Sequence, residues 1–229
     1  NIYEYEGYGI NAEEAQERYQ EAEEIMLKAW TGEDGFSHEG KFWQVNGPAL
    51  RPRPFTHPHP MTLRAASSEY GATELAKRGL PFLMNVQTDE QTIARFQVYK
   101  EVMSEAGFSD EHIAKCMSES WVWRNIYVGE SDTEADRTGT ANFISMIDHR
   151  AATRERIAAE QGKQITKSNP VYRDPKIGLL AGTSSTVAER LHNLASVGIG
   201  GVMIQFHLGP MEREVSKASM HRFAEHVLP

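Results

Sequence analysis

From residue 61 onward, short apolar runs alternate with amphipathic segments of helical period, and this order constrains the fold more than any other feature of the chain. The third run, ESWVWRNIYVG, is rich in the β-branched and aromatic residues that favour strands. Apolar strands alternating with amphipathic helices are typical of a parallel sheet covered by helices. The pattern therefore predicts an α/β protein with four parallel, neighbouring strands at residues 61–66, 81–86, 118–128 and 201–206.

Four such strands could form an open sheet or half of a closed (β/α)8 barrel. A whole barrel typically needs about 250 residues or more, whereas this chain has 229 residues. Its first residues, NIYEYEGYGINAEE, read as the middle of a loop. We therefore expect residues 1–229 to be a single domain, the C-terminal portion of a longer TIM-barrel chain. Residues 162–182 lack periodicity and are predicted to be a long loop, placed to act as an active-site lid.

The segment before residue 61 has its own pattern. Asn11 followed by Glu14 is typical of a helix start, and the helix is predicted to continue to about Trp30. Its apolar face is predicted at Ala15, Tyr19, Ala22, Met26 and Ala29, and its charged residues over 12–24 should face solvent. FSHEGKFWQV predicts a small hairpin. Further helices are predicted at about 69–78, 88–107, 131–161, 186–197 and 211–226.

Composition excludes several functional classes. Lys and Arg number 24 against 32 Asp and Glu, which gives a net charge of −8. The chain is therefore a poor candidate for binding nucleic acid or an anionic membrane surface. No apolar run approaches the roughly 20 residues that span a bilayer. Cys116 is the one cysteine, which excludes an internal disulfide framework and suits a reducing cytoplasm.

Six segments in series resemble the bacterial-luciferase-like flavin monooxygenases in order and spacing. They are EEAQERYQEAEEIMLKAWTG, FSHEGKFWQV, PRPFTHPHP, AASSEYGATELAKRGLP, GTSSTVAERLHNLASVGIGGVMIQF and HRFAEHVLP. The resemblance covers nearly the whole chain and implies a (β/α)8 barrel of which this chain supplies strands five to eight. The family residues that act on oxygen lie largely in the first four strands, expected upstream of Asn1. No catalytic residue is therefore named.

The resemblance also implies cofactor and partners. The cofactor is expected to be FMN, reduced by a separate flavin reductase that binds transiently, and the co-substrates O2 and a small organic molecule. A homodimer in the cytoplasm is expected, with no metal. Two alternatives stay open: a deazaflavin-dependent oxidoreductase of the same superfold, and a non-catalytic flavin-binding subunit.

AASSEYGATELA is similar to the family segment that receives the flavin phosphate. A helix N-terminus offers unpaired N–H groups and about half a positive charge. Ser67, Ser68 and Tyr70 could add hydroxyl donors, and Gly71 allows close approach of the backbone. The alternative is that Ser68 only caps the helix. Glu69 would repel a phosphate and is expected to point away.

Other polar residues follow predicted strands, where parallel sheets deliver side chains to an active site. Asn85 is assigned to the cofactor site with the two serines and Tyr70. Gln205 and His207 could reach the flavin or the substrate, or could be satisfied polar residues at the barrel rim. Trp121 and Trp123 are predicted to belong to the core rather than to a cofactor stack.

Overall fold

A computed structural model describes residues 2–162 and 170–228, which fall into two units, Asn1–Thr62 and Leu63–Pro229. The single domain over residues 1–229 stays a prediction.

The first unit consists of helices and one hairpin. Its helices are α1, Ile2–Gly7, and α2, Ala15–Thr31, and a 3-10 turn at Ala12–Glu14 precedes α2. Strands β1, Phe36–Glu39, and β2, Gln44–Gly47, pair antiparallel, which confirms the predicted hairpin.

Helix α2 does not bury the face that its apolar residues predicted. Tyr19 and Met26 are each 47 % exposed, whereas Glu23 is buried. The carboxylate of Glu21 accepts hydrogen bonds from the backbone N–H groups of Phe42 and Trp43, at 3.1 and 2.8 Å. Burial alone would raise the pKa of Glu21, but these backbone hydrogen bonds lower it. The predicted solvated charged face is therefore wrong at Glu21, because this carboxylate anchors the hairpin turn.

The second unit contains a five-stranded parallel sheet. Four strands lie where the apolar runs predicted them: β3, Arg64–Ala66; β4, Phe82–Met84; β5, Trp121–Val128; and β7, Gly201–Gln205. The fifth, β6, is Leu179–Gly182. Strand β3 pairs with β4, β4 with the start of β5, and β5 with β7, all parallel. The predicted order of four parallel neighbours is therefore confirmed.

Helices follow the strands as the sequence predicted. They are α3, Glu69–Lys77; α4, Asp89–Glu105; α5, Asp110–Glu119; α6, Asp132–Glu160; α7, Ser184–Ala195; and α8, Arg213–His226. Of these, α5 was not predicted. Thr88 and Gln91 begin α4 with a reciprocal capping box, which satisfies two otherwise unpaired N–H groups.

The predicted loop at 162–182 is wrong at its C-terminal end. Residues 163–169 lie outside the described residues, and Pro170–Arg173 form a 3-10 turn. Strand β6 then pairs with the last four residues of β5, beyond the point where β4 ends. The edge of β5 is thus shared between β4 and β6, so that β6 extends the wall at the carboxyl end of the sheet.

The core of this unit lies between the sheet and the surrounding helices. Phe82 on β4 packs against Phe96 and Tyr99 of α4, with ring centroids 5.2 and 5.0 Å apart. A second cluster joins Tyr127 of β5 to Phe143 and Met146 of α6. This packing fixes α4 and α6 relative to the strand ends, where the candidate site lies.

Candidate site at the carboxyl ends of the strands

Two adjoining cavities lie where strands β3, β4, β5 and β7 end. The Ser67 cavity, of about 440 Å³, is lined by residues that include Ser67, Glu69 and Arg95. The Trp123 cavity, of about 350 Å³, is lined by residues that include Trp123 and Arg150. Both are lined by Asn85, Val86, Tyr172 and Ile177. Parallel α/β proteins bind ligands at this end of their strands, so the two cavities together form the candidate site.

The two serines after β3 have different environments. Ser68 is the N-cap of α3, and its Oγ accepts a hydrogen bond of 3.0 Å from the N–H of Gly71. A hydroxyl that accepts a bond still carries a hydrogen to donate, so the cap leaves Ser68 able to bind an anion. Ser67 lines the Ser67 cavity, whereas Tyr70 is 75 % exposed and lies outside the residues that line either cavity.

Asn85 follows β4 and lies on the wall common to both cavities. Its Oδ1 accepts a hydrogen bond of 2.8 Å from the N–H of Val86. This bond turns the side chain back onto its own loop and leaves the amide NH2 group as the available donor.

Arg95 of α4 is a site residue that the sequence reasoning missed. It lines the Ser67 cavity, and its Nη1 atom is buried without a hydrogen-bond partner among the described residues. A buried donor without a partner carries a desolvation cost that a ligand could offset. Glu69 lines the same cavity, contrary to the expectation that it points away. The sequence carried no local signal for this role, because the missing partner of Nη1 is a property of the tertiary structure.

The Trp123 cavity lies between the sheet and α6. Trp123, Asn125 and Gln205 belong to its lining, so the prediction that Trp123 is a core residue is wrong. The Nδ2 of Asn125 donates a 3.2 Å hydrogen bond to the carbonyl of Gly178, which ties β5 to the segment before β6. The Nε2 of Gln205 donates to the carbonyl of His207 at 2.8 Å, and His207 itself is exposed and lines neither cavity.

An ion cluster at the start of α4 lies beside the site. Asp89 Oδ1 accepts hydrogen bonds from Nε and Nη2 of Arg124, at 3.2 and 3.1 Å. Its Oδ2 accepts from Nε and Nη2 of Arg190, at 2.9 and 2.8 Å. Arg124 is fully buried and also donates to Thr92 Oγ1 at 2.7 Å. Burial lowers the pKa of Arg124, and Asp89 opposes this effect.

The described ranges, 2–162 and 170–228, contain neither a candidate metal site nor a candidate membrane-spanning helix. No group of three or more His, Cys, Asp or Glu in these ranges could hold a metal ion. Each of their helices is too short or too polar to pass through a bilayer.

The parallel βα units, with cavities at the carboxyl ends of the strands, define a protein of the (β/α)8-barrel type. The chain belongs to the luciferase-like monooxygenase family, whose family model matches residues 3–200. This match confirms the resemblance found in the sequence.

The chain is also similar to individual proteins, one by sequence and two by fold. The chain is 25 % identical over 231 aligned residues to the FMNH2-dependent dimethylsulfone monooxygenase of Pseudomonas putida, an alignment that covers 94 % of this chain and 59 % of the relative. The structure of the monooxygenase RslO1 from Streptomyces bottropensis is 24 % identical with a TM-score of 0.68, over 99 % of this chain and 64 % of that one. The coenzyme F420 dependent tetrahydromethanopterin reductase from Methanopyrus kandleri is 15 % identical with a TM-score of 0.59, over 92 % of this chain and 62 % of that one. The chain thus spans about three fifths of the length of these relatives.

Proposed function

We propose that this protein is a flavin-dependent monooxygenase that uses reduced FMN and O2 to oxygenate a small organic substrate. Family membership and the FMNH2 dependence of the Pseudomonas putida relative support the reaction class. The observation that carries the proposal for this chain is the buried, unpartnered Nη1 of Arg95 in the cavity that Ser67 lines. A guanidinium nitrogen without a partner among the described residues, beside a helix N-terminus, fits a phosphate, whereas the carboxylate of Glu69 in the same lining opposes its binding.

The phosphate end of FMN is assigned to the Ser67 cavity. Ser67 and the N–H groups at the start of α3 supply donors, Arg95 supplies charge, and Ser68 can donate while it caps the helix. A Cβ at Gly71 would lie 3.3 Å from Ser68 Oγ, so a side chain there would crowd the cap. Tyr70 lines neither cavity, so its assignment to the cofactor site stays a prediction from the sequence.

The remainder of the flavin and the substrate are assigned to the Trp123 cavity, with Asn85 on the shared wall. Bound reduced flavin supplies the activation of O2 and the transfer of one oxygen atom. The chain's own residues orient the ligands and exclude water beneath α6. Tyr172 and Ile177 line both cavities, which supports a lid role for residues 172–178 of the predicted lid 162–182. Leu179–Gly182 belong to strand β6 instead, and residues 163–169 lie outside the described residues.

The partners follow from the same proposal. An enzyme that needs FMN in its reduced form receives it from a flavin reductase, and the FMNH2 dependence of the Pseudomonas putida relative supports a separate one. The homodimer and the cytoplasmic location stay predictions.

A second candidate function is hydride transfer with a deazaflavin. The likeness in fold to the coenzyme F420 dependent reductase of Methanopyrus kandleri favours it. Because F420 also carries a phosphate, the Ser67 cavity alone does not separate the two functions.

Paired titrations of the full-length protein test the phosphate assignment. Arg95→Gln removes one charged contact and Ser67→Ala one hydroxyl. A hydrogen bond to a charged group contributes about 1.5–3 kcal/mol, so each variant should bind FMN about 10- to 100-fold more weakly. Riboflavin, which lacks the phosphate, should bind each variant as it binds the unmodified protein. Lys100→Gln, the same change of charge on α4 outside the cavity, is the control. Equal losses of affinity for FMN and riboflavin would mean that Ser67 and Arg95 have a structural role.

A single-turnover experiment tests the reaction class. FMN-loaded protein is reduced without oxygen and mixed with ¹⁸O2 and a panel of aldehydes, alkanes and sulfur compounds. A monooxygenase incorporates one ¹⁸O atom into a product. Reduction of F420 by an alcohol, without oxygen incorporation, would replace the proposal with the second candidate. Tight FMN binding without either reaction would indicate the non-catalytic subunit.

A further inference from the structure

The lining of the Trp123 cavity carries an unbalanced positive charge. Arg150 and Arg154, one turn apart on α6, both belong to the lining, and no Asp or Glu is among its described residues. Neither arginine forms an ion pair within residues 2–162 and 170–228. The carboxylate of Asp148 forms an ion pair with Arg173 at 2.8 Å. Two cations without an ion pair among the described residues thus share one cavity in a chain whose net charge is −8.

The cavity face of α6 is also divided along its length. Phe143, Ile147, Arg150 and Arg154 follow one another at helical spacing and line the cavity in that order. The N-terminal half of this face is apolar and continues the surface of Trp123, whereas the C-terminal half is cationic. Like charges four residues apart destabilise a helix slightly, so this pair does not serve the helix itself.

We infer that the substrate of this site is an organic anion, with an apolar body that lies along Trp123, Phe143 and Ile147 and an acid group that binds Arg150 and Arg154. Guanidinium groups match carboxylates and sulfonates in geometry and charge. The remaining polar lining groups, such as Asn85, Asn125 and Gln205, are neutral amides that orient a ligand without selecting its charge. The inference rests on the proposed function, since it names the substrate class of the same site.

The phosphate of FMN is a second source of the same chemistry. Arg95 and Ser67 provide for it in the Ser67 cavity, which contains neither Arg150 nor Arg154. The two anions are therefore assigned to different cavities, and an experiment can separate them.

Calorimetric titration of the full-length protein, with and without FMN, tests the inference. The probes are hexane-1-sulfonate and hexan-1-ol, which share a chain and differ in charge. The sulfonate should bind at least about tenfold more tightly than the alcohol, and added salt should reduce this preference. Arg150→Gln/Arg154→Gln should abolish the preference, and Arg150→Lys/Arg154→Lys should retain part of it. Arg156→Gln is the matched control, because Arg156 lies on the same helix, pairs with Glu160 at 3.1 Å and does not line the cavity.

Each outcome decides between the explanations. Equal binding of the two probes by the unmodified protein, or the same loss of preference in Arg156→Gln, overturns the inference. So does a double variant that loses FMN but keeps riboflavin, because the arginines would then serve the cofactor. If the double variant fails to fold, the salt dependence and the lysine variant decide. Absence of FMN binding by the unmodified protein would remove the proposed function, whereas the sulfonate preference is measured separately without FMN.

Discussion

The arginines around the sheet fall into two groups that differ in how their charge is neutralised. Arg124 is fully buried, yet Asp89 and Thr92 accept its hydrogen bonds, and the same carboxylate binds Arg190. At the carboxyl ends of the strands, Arg95 has a buried nitrogen without a partner in the described part of the chain. Arg150 lines a cavity whose described lining residues include no carboxylate.

This difference distinguishes arginines whose charge is neutralised within the fold from arginines whose charge is available to a ligand. The fold itself offsets the desolvation of Arg124 with charge-assisted hydrogen bonds, and the cluster is complete without a bound molecule. For Nη1 of Arg95 no described residue offsets the desolvation cost, and a bound anion would offset it. Substitutions in the Asp89 cluster should therefore lower stability, whereas substitutions of the cavity arginines should lower ligand affinity.

The largest expected loss in the free energy of unfolding is that of Asp89→Asn. This change leaves the buried Arg124 and the half-buried Arg190 without a carboxylate, and breaking a buried ion pair in this way costs about 3–5 kcal/mol. Urea unfolding of the full-length protein should show a loss of about 3 kcal/mol, at the lower end because Asp89 is 18 % exposed. Asp136→Asn, an exposed acid at the start of α6, should change stability by less than about 0.5 kcal/mol. A loss below about 1 kcal/mol for Asp89→Asn would mean that the cluster is not structural.

A smaller loss in the free energy of unfolding is expected for Arg124→Met. This variant removes the buried charge and leaves Asp89 paired with Arg190, so no buried ion is left alone. Replacement of a buried ion pair by apolar groups is often nearly neutral, and we expect a loss of about 1–2 kcal/mol from imperfect packing. The same urea titration checks the order, and a larger loss for Arg124→Met than for Asp89→Asn would contradict it.

Much of the fold could be predicted from the sequence because the relevant signals are local. The alternation of apolar runs and helical segments gave the four parallel strands, and FSHEGKFWQV gave the hairpin. Two elements, β6 and α5, were not predicted. Strand β6 has only four residues between Gly178 and Thr183, too few to show a period, and α5 follows α4 after a short turn at Gly107.

The site was predictable only where its residues follow strands. Ser67 and Asn85 line the Ser67 cavity because a strand ends directly before each of them. The role of an arginine on a helix depends on its partners, and Asp89 is 35 residues from Arg124 and 101 from Arg190. That Nη1 of Arg95 lacks a partner in the described part of the chain is a property of the tertiary structure, so no local pattern could have shown it.

Ser68 has both a structural and a proposed binding role. It caps α3, and it directly follows Ser67, which lines the Ser67 cavity. Loss of an N-cap costs about 1 kcal/mol, so Ser68→Ala should lower the free energy of unfolding by that amount. Ser67 makes no capping bond, and Ser67→Ala should leave stability within about 0.5 kcal/mol. Thermal unfolding of the two variants without ligand measures both values. Equal losses would mean that the two hydroxyls share the capping role.

The smallest effect on stability is expected for Arg95→Met, the substitution that separates the two groups of arginines most directly. Methionine keeps an apolar stem and removes the guanidinium whose Nη1 lacks a partner among the described residues. Because the fold gains nothing from that charge, the free energy of unfolding without ligand should change by less than about 0.5 kcal/mol or should rise. With saturating FMN, the unmodified protein gains stability in proportion to the logarithm of ligand concentration over Kd, and the variant should lose part of this gain. Thermal unfolding with and without FMN checks both halves. A loss of several kcal/mol without ligand would place Arg95 with Arg124, as a residue whose charge the fold itself requires.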